Sequence, residues 1–339
     1  MTPPVHAWTD ERQPCRSARL SVSVVICAYT MARWACIERA VESVRAQTLP
    51  PDAIILVADH APELAARARS TFPDLLVVDN KQQQGLSGAR NTGVSVAMGD
   101  IVAFLDDDAT AELQWLERLV AGYDHPDVRG TGGAVIPVWP QQRRPRWLPP
   151  ELDWVVGCSY VGLPDRLSAV RNFVGANMSF RRSALLTTGQ FTCELGRVGT
   201  RPSGCEETEL CIRLLRDRPG AVLRYDPEAV VYHLVTPDRC RWVYFRRRCW
   251  SEGLSKAKVA NSLGSSDALS SERYYMSRTL PRAVRRGLTE SLSSANPAGA
   301  LQAAAVVAGV AVTTSGYLFG RASTRLARPR NGRWNARDG

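Results

Sequence analysis

The sequence lacks the marks of several common classes of protein. Its nine cysteines include no Cys-x-x-Cys pair, which argues against a disulfide framework and a zinc site and is typical of reduced thiols in a cytosolic protein. The first 20 residues contain no apolar run of the kind that a secretory signal needs, so we expect none. No internal repeat is visible. The 45% hydrophobic and 22% charged content of the 339 residues is ordinary for a folded protein with a sizeable core.

Excess positive charge is absent from most of the chain and concentrated at its end. Residues 1–238 carry 25 Lys and Arg against 28 Asp and Glu, a net charge of −3, whereas residues 239–339 carry 18 against 5, a net charge of +13. A basic segment suits an anionic membrane surface or nucleic acid. We therefore look for chemistry in the near-neutral part and for a binding surface in the basic part.

Three consecutive aspartates stand directly after a short apolar run. Ile101 to Leu105 is β-branched and aromatic, as a buried strand would be, and Asp106, Asp107 and Asp108 follow it. Three carboxylates in one loop repel one another unless a cation or a ligand hydroxyl relieves the crowding. Hard oxygen ligands favour Mg²⁺ or Mn²⁺, which in turn favour a diphosphate. A solvated acidic turn is the alternative interpretation.

Apolar runs and helix-like segments alternate through the first third of the chain. This alternation predicts an α/β fold with a mainly parallel sheet that is covered by helices. The predicted strands are Val22–Ala28, Ile54–Ala58, Leu75–Val78 and Ile101–Leu105, and the predicted helices are Arg33–Gln47, Pro62–Thr71 and Gly88–Ala97.

Polar and acidic groups recur where these predicted strands end. Tyr29 and Thr30 follow the first strand, Asp59 follows the second, and Asp79 and Asn80 follow the third. Ligands of open α/β sheets bind beyond the carboxyl ends of the strands. The aspartate triplet is therefore expected to share one site with these residues, which weakens its interpretation as a solvated turn.

A proline-rich segment with tryptophans follows the predicted sheet. Pro137 to Pro150 contains five prolines and predicts a loop, because prolines exclude a long helix. Trp139, Trp147 and Trp154 frame this loop. Their rings could stack on a ligand as part of a lid, or they could pack in the core.

Two further segments bring acidic residues and a histidine. Gly204 to Arg218 predicts an amphipathic helix, in which Glu209 can pair with Arg213 at spacing i, i+4. Val230 to Tyr232 predicts a short strand that leads to His233. That histidine is either a ligand or a packed side chain.

The apolar segment Ala298–Gly320 is long enough to span a bilayer, although it is rich in alanine and glycine. Basic residues flank it on both sides, as in helices that lie in a membrane interface. Three placements stay open, namely an interfacial helix, a spanning helix and a soluble packed helix. Residues 321–339 are expected to be disordered.

From about Ser21 to Ala257 the chain resembles the inverting family 2 glycosyltransferases, which have the GT-A fold. The similarity rests on ordered motifs, and at two positions the sequence departs from the family pattern. The second strand ends in Asp59-His60-Ala61-Pro62 where Asp-Asp-Gly-Ser is usual, and Glu206-Glu207 stands for a Glu-Asp pair. The matching motifs are Ser23–Thr30, Ile54–Asp59, Gly85–Gly93, Leu105–Asp108, Gly175–Met178 and Gly204–Leu210.

The resemblance implies a domain organisation. It predicts a GT-A domain at residues 21–260, with a mixed, mainly parallel, Rossmann-like sheet flanked by helices. Residues 21–130 would form its nucleotide-binding half and residues 131–260 its acceptor half. A disordered N-terminus at 1–20, a helical, possibly membrane-associated extension at 261–320 and a basic disordered tail at 321–339 would complete the chain.

The resemblance also implies roles on the donor side. Asp108 is expected to bind a divalent metal, Mg²⁺ or Mn²⁺, on the donor diphosphate, and His233 to coordinate that metal or its phosphates. The expected donor-binding residues, which would hold a UDP-, GDP- or dTDP-sugar, are Ala28, Tyr29, Thr30, Asp59, Arg90, Asp106 and Asp107.

On the acceptor side, a carboxylate must take the proton of the acceptor hydroxyl. Glu207 aligns with the usual catalytic residue of the family pair, and Glu206 is the alternative base. Trp147, Asn177 and Glu206 are the expected acceptor-side residues. The resemblance implies direct displacement at the anomeric carbon and therefore inversion.

These inferences lead to one main hypothesis and two alternatives. The main hypothesis is a metal-dependent glycosyltransferase that modifies a lipid-linked or cell-envelope glycan at the cytoplasmic face of the membrane, with nucleic acid an unlikely partner. A nucleotidyltransferase would carry a glycine loop after the first strand, and Cys27 to Arg33 lacks one. A non-catalytic protein that binds membrane or nucleic acid through its basic tail is the second alternative.

Overall fold

The computed structural model describes residues 19–199, 203–264, 270–294 and 297–327. Within these ranges the strands are β1 (Val22–Ala28), β2 (Ala53–Ala58), β3 (Leu76–Asp79), β4 (Ile101–Asp106), β5 (Ala109–Ala111), β6 (Val128–Val138), β7 (Ser168–Val170), β8 (Asn177–Arg181) and β9 (Val222–Leu234). The α-helices are α1 (Trp34–Arg45), α2 (Pro62–Thr71), α3 (Leu86–Val96), α4 (Trp115–Ala121), α5 (Arg182–Thr188), α6 (Glu206–Asp217), α7 (Trp242–Leu263), α8 (Ser270–Tyr274), α9 (Leu280–Ser294) and α10 (Pro297–Ala327).

One mixed sheet joins all of these strands in the order β3-β2-β1-β4-β8-β6-β9-β5, and β7 pairs with β9 as well. The pairs among β1 to β4 are parallel, and β8 runs antiparallel to both of its neighbours. Helices pack against the sheet, and buried apolar side chains form a cluster on each side of it. The predicted α/β fold with a mainly parallel, helix-flanked sheet is confirmed.

The register of the strands brings the polar groups at their ends to one edge. Asp106 at the end of β4 pairs with Cys27 of β1, and Ala28 of β1 pairs with Ala58, which directly precedes Asp59. On the other side of the triplet, β5 pairs with β9 so that Ala109 lies opposite His233. The sheet therefore places both ends of the aspartate triplet against groups that are distant in sequence.

The bounds of the predicted elements agree closely with those observed in the first third of the chain. The predicted bounds of β1 and α2 are the observed ones, and the predicted first helix begins one residue earlier and ends two residues later than α1. In the second half the prediction was less complete. The strand predicted at Val230–Tyr232 is the last part of the 13-residue strand β9, and α7 was not predicted.

The C-terminal helices α9 and α10 pack against the rest of the chain, and several of their side chains belong to its apolar core. The predicted boundary at residue 260 lies inside α7. A Cβ atom on Gly253 of α7 would lie 2.1 Å from the Thr313 carbonyl oxygen of α10, and one on Gly316 would lie 2.5 Å from the Trp250 carbonyl oxygen. The glycines therefore allow the two helix backbones to approach each other closely.

This packing bears on the three placements of the apolar segment. Among the described residues, Pro297–Ser323 is the single stretch of helix that is long and apolar enough to cross a membrane. One face of α10 packs on α7. Elsewhere on α10 four large apolar side chains are exposed, namely Leu301, Val307, Leu318 and Phe319. The helix also continues to Ala327, so the prediction of disorder from residue 321 is wrong for residues 321–327. Residues 1–18 and 328–339, also predicted to be disordered, lie outside the described residues.

We expect Gly253→Ala to destabilise the protein because a methyl group at this position overlaps the backbone of α10. The expected loss is about 1–3 kcal/mol in the free energy of unfolding, the usual cost of overpacking. Urea denaturation measures it, and Lys258→Ala, an exposed change on the same helix, is the control. A Gly253→Ala protein as stable as the wild type would contradict the close contact between α7 and α10.

Candidate active site

A cavity of about 520 Å³ opens at the carboxyl ends of β1, β2 and β4. It continues past the start of α6 to a wall formed by α7 and α10. Most of the residues that the sequence singled out line it, namely Ala28, Tyr29, Asp59, Arg90, Asp106, Asp107, Asp108, Glu206, Glu207 and His233. The predicted convergence at this edge of the sheet is therefore observed.

Asp106, Asp108 and His233 form a group that could hold one metal ion. Each offers one ligand atom, and these atoms all lie within 4.8 Å of one another. His233 Nε2 lies 3.1 Å from Asp108 Oδ1, and the backbone N–H of Leu234 donates to the Asp108 carbonyl oxygen at 2.8 Å. The pairing of β5 with β9 thus joins the two parts of the chain that carry the ligands. Two carboxylates and one imidazole fit a divalent cation.

Arginines surround the same carboxylates. Arg33 Nη1 lies 2.7 Å from Asp107 Oδ1 and 3.1 Å from Asp108 Oδ2, and Arg239 Nη2 lies 3.3 Å from Asp108 Oδ2. Although burial opposes ionisation, His233, Arg239 and Arg33 hold the pKa of Asp108 below its usual range. Asp108 is therefore a carboxylate in this site, as a metal ligand must be.

Asp107 differs from its neighbour. Burial and the adjacent Asp108 charge raise its pKa, and the Arg33 guanidinium opposes them only in part. Its Oδ2 atom is buried without a hydrogen-bond partner in the described part of the chain. The three aspartates therefore have distinct environments, with Asp108 the most strongly paired and Asp107 the least satisfied.

Asp59 is fixed at the end of β2 by the start of α3. The backbone N–H of Gly85 donates to Asp59 Oδ2 at 2.9 Å, and the side-chain amide of Asn80 donates to Oδ1 at 2.6 Å. Gly85 has φ +128°, a conformation that a larger residue rarely adopts. The carboxylate lines the cavity and is held in one orientation.

Arg90 is buried between the two acidic groups of the cavity. It donates to Glu206 Oε1 at 3.0 Å, to Asp106 Oδ1 at 3.3 Å and to the Gly175 carbonyl oxygen at 2.9 Å. Its side chain is only 2% exposed. Arg90 thus ties the triplet to the start of α6.

The two glutamates at the start of α6 have different surroundings. Glu206 is buried and paired with Arg90, whereas Glu207 is partly exposed to the cavity. Burial and the Glu206 charge raise the pKa of Glu207 to about 8. A carboxylate with that pKa is a stronger base than an ordinary glutamate, and it is available as a base once the pH approaches about 8. Glu209 pairs with Arg213 at 2.7 Å, as its spacing predicts, and is not in the lining of the cavity.

Three of the predicted site residues do not line the cavity. Asn177 is fully buried, and its amide group joins Trp115 Nε1 to the carbonyl oxygens of Ala134 and Ala229 at 2.7–2.8 Å. Both N–H groups of this amide donate to backbone carbonyl oxygens and the side chain is fully buried, so its predicted acceptor-side position is corrected to a structural one.

Trp147 and Thr30 are the other two predicted site residues that do not line the cavity. The Trp147 ring is partly buried and packs edge-on against Trp242 and Phe245 at 5.2–5.3 Å. It lies against the core and outside the lining of the cavity, so its predicted acceptor-side position is corrected in the same way. Thr30 caps the turn after β1 by accepting from the backbone N–H of Ala32 at 3.3 Å. Trp154 is the tryptophan of the loop that does line the cavity.

Sequence reasoning missed several basic residues of the site. Arg33, Arg197 and Arg239 all line the cavity. No ion pair or side-chain hydrogen bond of Arg197 is found across the described ranges, and burial together with the neighbouring Arg239 lowers its pKa. Arg33 ends the short 3₁₀ turn Met31–Arg33 directly before α1, only four residues after Tyr29, and this position was a usable signal. Arg197 lies in a loop and Arg239 in the short 3₁₀ helix Pro237–Cys240, and neither carries such a signal.

Comparisons with known proteins show which proteins the chain is similar to. A family model described as "Glycosyl transferase family 2" matches residues 23–188. The chain is 32% identical over 316 residues to the glucosyl-dolichyl phosphate glucuronosyltransferase of Haloferax volcanii. The aligned region covers 92% of this chain and 100% of the relative. It is 27% identical over 252 residues to the succinoglycan biosynthesis protein ExoM of Rhizobium meliloti, and that region covers 71% of this chain and 75% of the relative.

Solved structures show the same fold. The mannosyltransferase PcManGT of Pyrobaculum calidifontis, solved with GDP-Man and Mn²⁺, matches with a TM-score of 0.56 and 21% identity over 94% of this chain and 90% of the other. None of these comparisons supports the nucleotidyltransferase or the non-catalytic binding protein considered from the sequence.

Proposed function

The chain belongs to glycosyl transferase family 2, and we propose that it transfers a sugar, with inversion, from a nucleotide-diphosphate sugar to an acceptor hydroxyl. One observation carries the proposal. A three-ligand group suited to a metal ion and a carboxyl group suited to a general base line the same cavity. Glycosyl transfer needs both, one for the leaving diphosphate and one for the acceptor proton.

Asp106, Asp108 and His233 are the residues that would hold the metal. A divalent cation bound there supplies a Lewis acid for the diphosphate. The imidazole favours Mn²⁺ over Mg²⁺, because magnesium sites are built from oxygen ligands. The solved mannosyltransferase of similar fold contains Mn²⁺.

Basic residues supply further charge for the leaving group. Arg33, Arg197 and Arg239 line the metal end of the cavity. Guanidinium groups match the oxygens of a phosphate, and they stabilise negative charge as it develops on the departing nucleoside diphosphate. Asp59 is held at the end of β2 by hydrogen bonds from Gly85 and Asn80. It would contact the nucleoside, as the aspartate at the end of this motif does in the family.

Glu207 is the base in this proposal. Glu206 forms an ion pair with Arg90, whereas the carboxyl group of Glu207 does not. It takes the proton of the acceptor hydroxyl as the oxygen attacks the anomeric carbon, the new glycosidic bond forms and the bond to the diphosphate breaks. A single displacement of this kind inverts the anomeric configuration.

A lipid-linked acceptor at a membrane surface completes the proposal. The Haloferax volcanii relative is named for a dolichyl phosphate substrate. Residues 239–339 carry the +13 charge, and α10 exposes Leu301, Val307, Leu318 and Phe319. An apolar helix face beside basic residues suits the cytoplasmic face of an anionic membrane.

The metal assignment is tested by donor binding. We expect a panel of UDP-, GDP- and dTDP-sugars to include a donor that raises the melting temperature only with Mn²⁺, since a bound ligand stabilises the folded state. Asp108→Asn should weaken the Mn²⁺-dependent binding of that donor by at least about tenfold. Asp79→Asn, an exposed carboxylate at the end of β3, is the control. Full Mn²⁺ dependence in Asp108→Asn would remove the metal role from this residue.

The base assignment is tested by the pH dependence of turnover. Because the base must be unprotonated, kcat/KM for nucleoside diphosphate release should rise about tenfold per pH unit below about 8 and level off above it. Glu207→Gln should lower the rate by about 10²–10⁴ while donor binding is kept. Exposed Glu194 provides the control, as Glu194→Gln. A rate for Glu207→Gln within threefold of the wild type would pass the role to Glu206.

Membrane contact is tested by sedimentation with phosphatidylglycerol vesicles. Replacing Leu318 and Phe319 by glutamate should reduce the bound fraction severalfold, because it adds negative charge to the apolar face. Leu76→Glu, on the edge strand β3, is the control. Equal binding by all three proteins would contradict a membrane-facing α10.

A further inference from the structure

Arg239 contacts two of the three residues that would hold the metal. Its Nη2 atom lies 3.3 Å from Asp108 Oδ2, and its Nη1 atom lies 3.1 Å from His233 Nε2. The side chain is only 7% exposed, and Nη1 also donates to the Val156 carbonyl oxygen at 3.3 Å. A buried positive charge is therefore bound to the same two side chains that a divalent cation would use.

The imidazole of His233 is oriented so that Nε2 faces these groups. The other ring nitrogen, Nδ1, lies 3.7 Å from Cys158 Sγ, whereas Nε2 lies 3.1 Å from Asp108 Oδ1. Nε2 carries either a hydrogen atom or one lone pair. A metal ion needs that lone pair, and so does an N–H group of Arg239 that donates to Nε2. The metal and Arg239 therefore cannot bind His233 Nε2 at the same time.

Arg33, the other arginine beside the aspartate triplet, does not have this conflict. Its closest partner is Asp107 Oδ1 at 2.7 Å, and Asp107 is not one of the three proposed ligands. Arg33 also lies 3.1 Å from Asp108 Oδ2, but a carboxylate has several lone pairs and can serve an arginine and a metal together. Metal binding is therefore compatible with the contacts of Arg33 and requires Arg239 to move.

Arg239 needs a new anionic partner when it leaves His233. Arginine stays charged in proteins, and a buried charge without a partner is very unfavourable. Arg197 is a second cation at this end of the cavity, since burial and the neighbouring Arg239 lower the pKa of Arg197. Two guanidinium groups that repel each other favour a phosphate between them. The diphosphate of the donor is the anion that the proposed reaction brings to this end.

We propose that Arg239 exchanges its partners when the donor binds, giving up His233 to the metal and pairing with the diphosphate, an inference that rests on the proposed function. The exchange makes the two ligands depend on each other. When the metal binds alone, it must break the contacts of Arg239 and leave that charge unpaired. When a nucleotide is bound, its diphosphate holds Arg239 and frees the lone pair of His233. Each ligand then raises the affinity for the other by the same factor, as linkage requires.

A permanent pair of Arg239 with His233 is the competing interpretation. Asp106 and Asp108 would then hold the metal without the imidazole, and Arg239 would act on the metal only by charge repulsion. Removing that repulsion would strengthen metal binding equally with and without a nucleotide. The two interpretations therefore differ in the factor by which the nucleotide enhances metal affinity, and this factor is the quantity to measure.

The test measures Mn²⁺ binding by electron paramagnetic resonance, first alone and then with saturating UDP, GDP or dTDP, corrected for the Mn²⁺ that free nucleotide binds. We expect Arg239→Gln to bind Mn²⁺ alone at least about fivefold more tightly than the wild type, because no guanidinium competes for His233. The enhancement of Mn²⁺ affinity by the nucleotide should fall by a similar factor. Arg239→Met, an apolar replacement that suits a buried position, should behave in the same way. Circular dichroism verifies the fold of both variants.

Arg241→Gln is the matched control and should keep both the wild-type Mn²⁺ affinity and its enhancement by the nucleotide. Arg241 lies two residues beyond Arg239, and its side chain is 72% exposed and pairs with Asp238 outside the lining of the cavity. A wild-type enhancement in the Arg239 variants would overturn the inference, as would Mn²⁺ binding alone that is no tighter than that of the wild type. Failure of the wild-type protein to bind Mn²⁺ with any of the nucleotides would overturn the metal assignment of the proposed function, and the inference with it.

Discussion

The site depends on one buried guanidinium. Arg90 lies in α3 and reaches Asp106 on one side and Glu206 on the other, so that a single charge holds the end of β4 and the start of α6 together. α3 can approach the sheet closely because a Cβ atom at Gly93 would lie 2.4 Å from Val25. A buried charge without partners is very unfavourable, and here two carboxylates and a carbonyl oxygen offset that cost. The distance between the donor and acceptor ends of the cavity is therefore set by packing rather than by the ligand.

The same pairing separates the roles of two adjacent glutamates. Glu206 forms an ion pair with Arg90, whereas Glu207 lines the cavity and has a raised pKa. A similar separation exists within the aspartate triplet, where Asp108 is kept ionised by His233 and two arginines and Asp107 is not. Chemically identical neighbours thus acquire different pKa values from their surroundings.

The sequence predicted local structure well and long-range contacts only in part. The ends of β1 and α2 follow from apolar runs and from a proline at the helix start, and the convergence of Asp59 and the triplet follows from parallel strands. The positions of Asn177 and Trp147 could not be derived, because their partners are brought by distant elements such as β6, β9 and α7. The contribution of α10 to the cavity depends on glycine contacts with α7, which an isolated apolar pattern does not reveal.

The most direct test of this account is the pH profile of Glu206→Gln. If Glu206 is the partner of Arg90 and Glu207 the base, removing the Glu206 charge should leave turnover in place and lower the pKa of Glu207, because a neighbouring negative charge is lost. The rising limb of kcat/KM should then move from about 8 to lower pH. A limb that stays at about 8, or a loss of turnover as large as that of Glu207→Gln, would contradict the division of roles between the two residues.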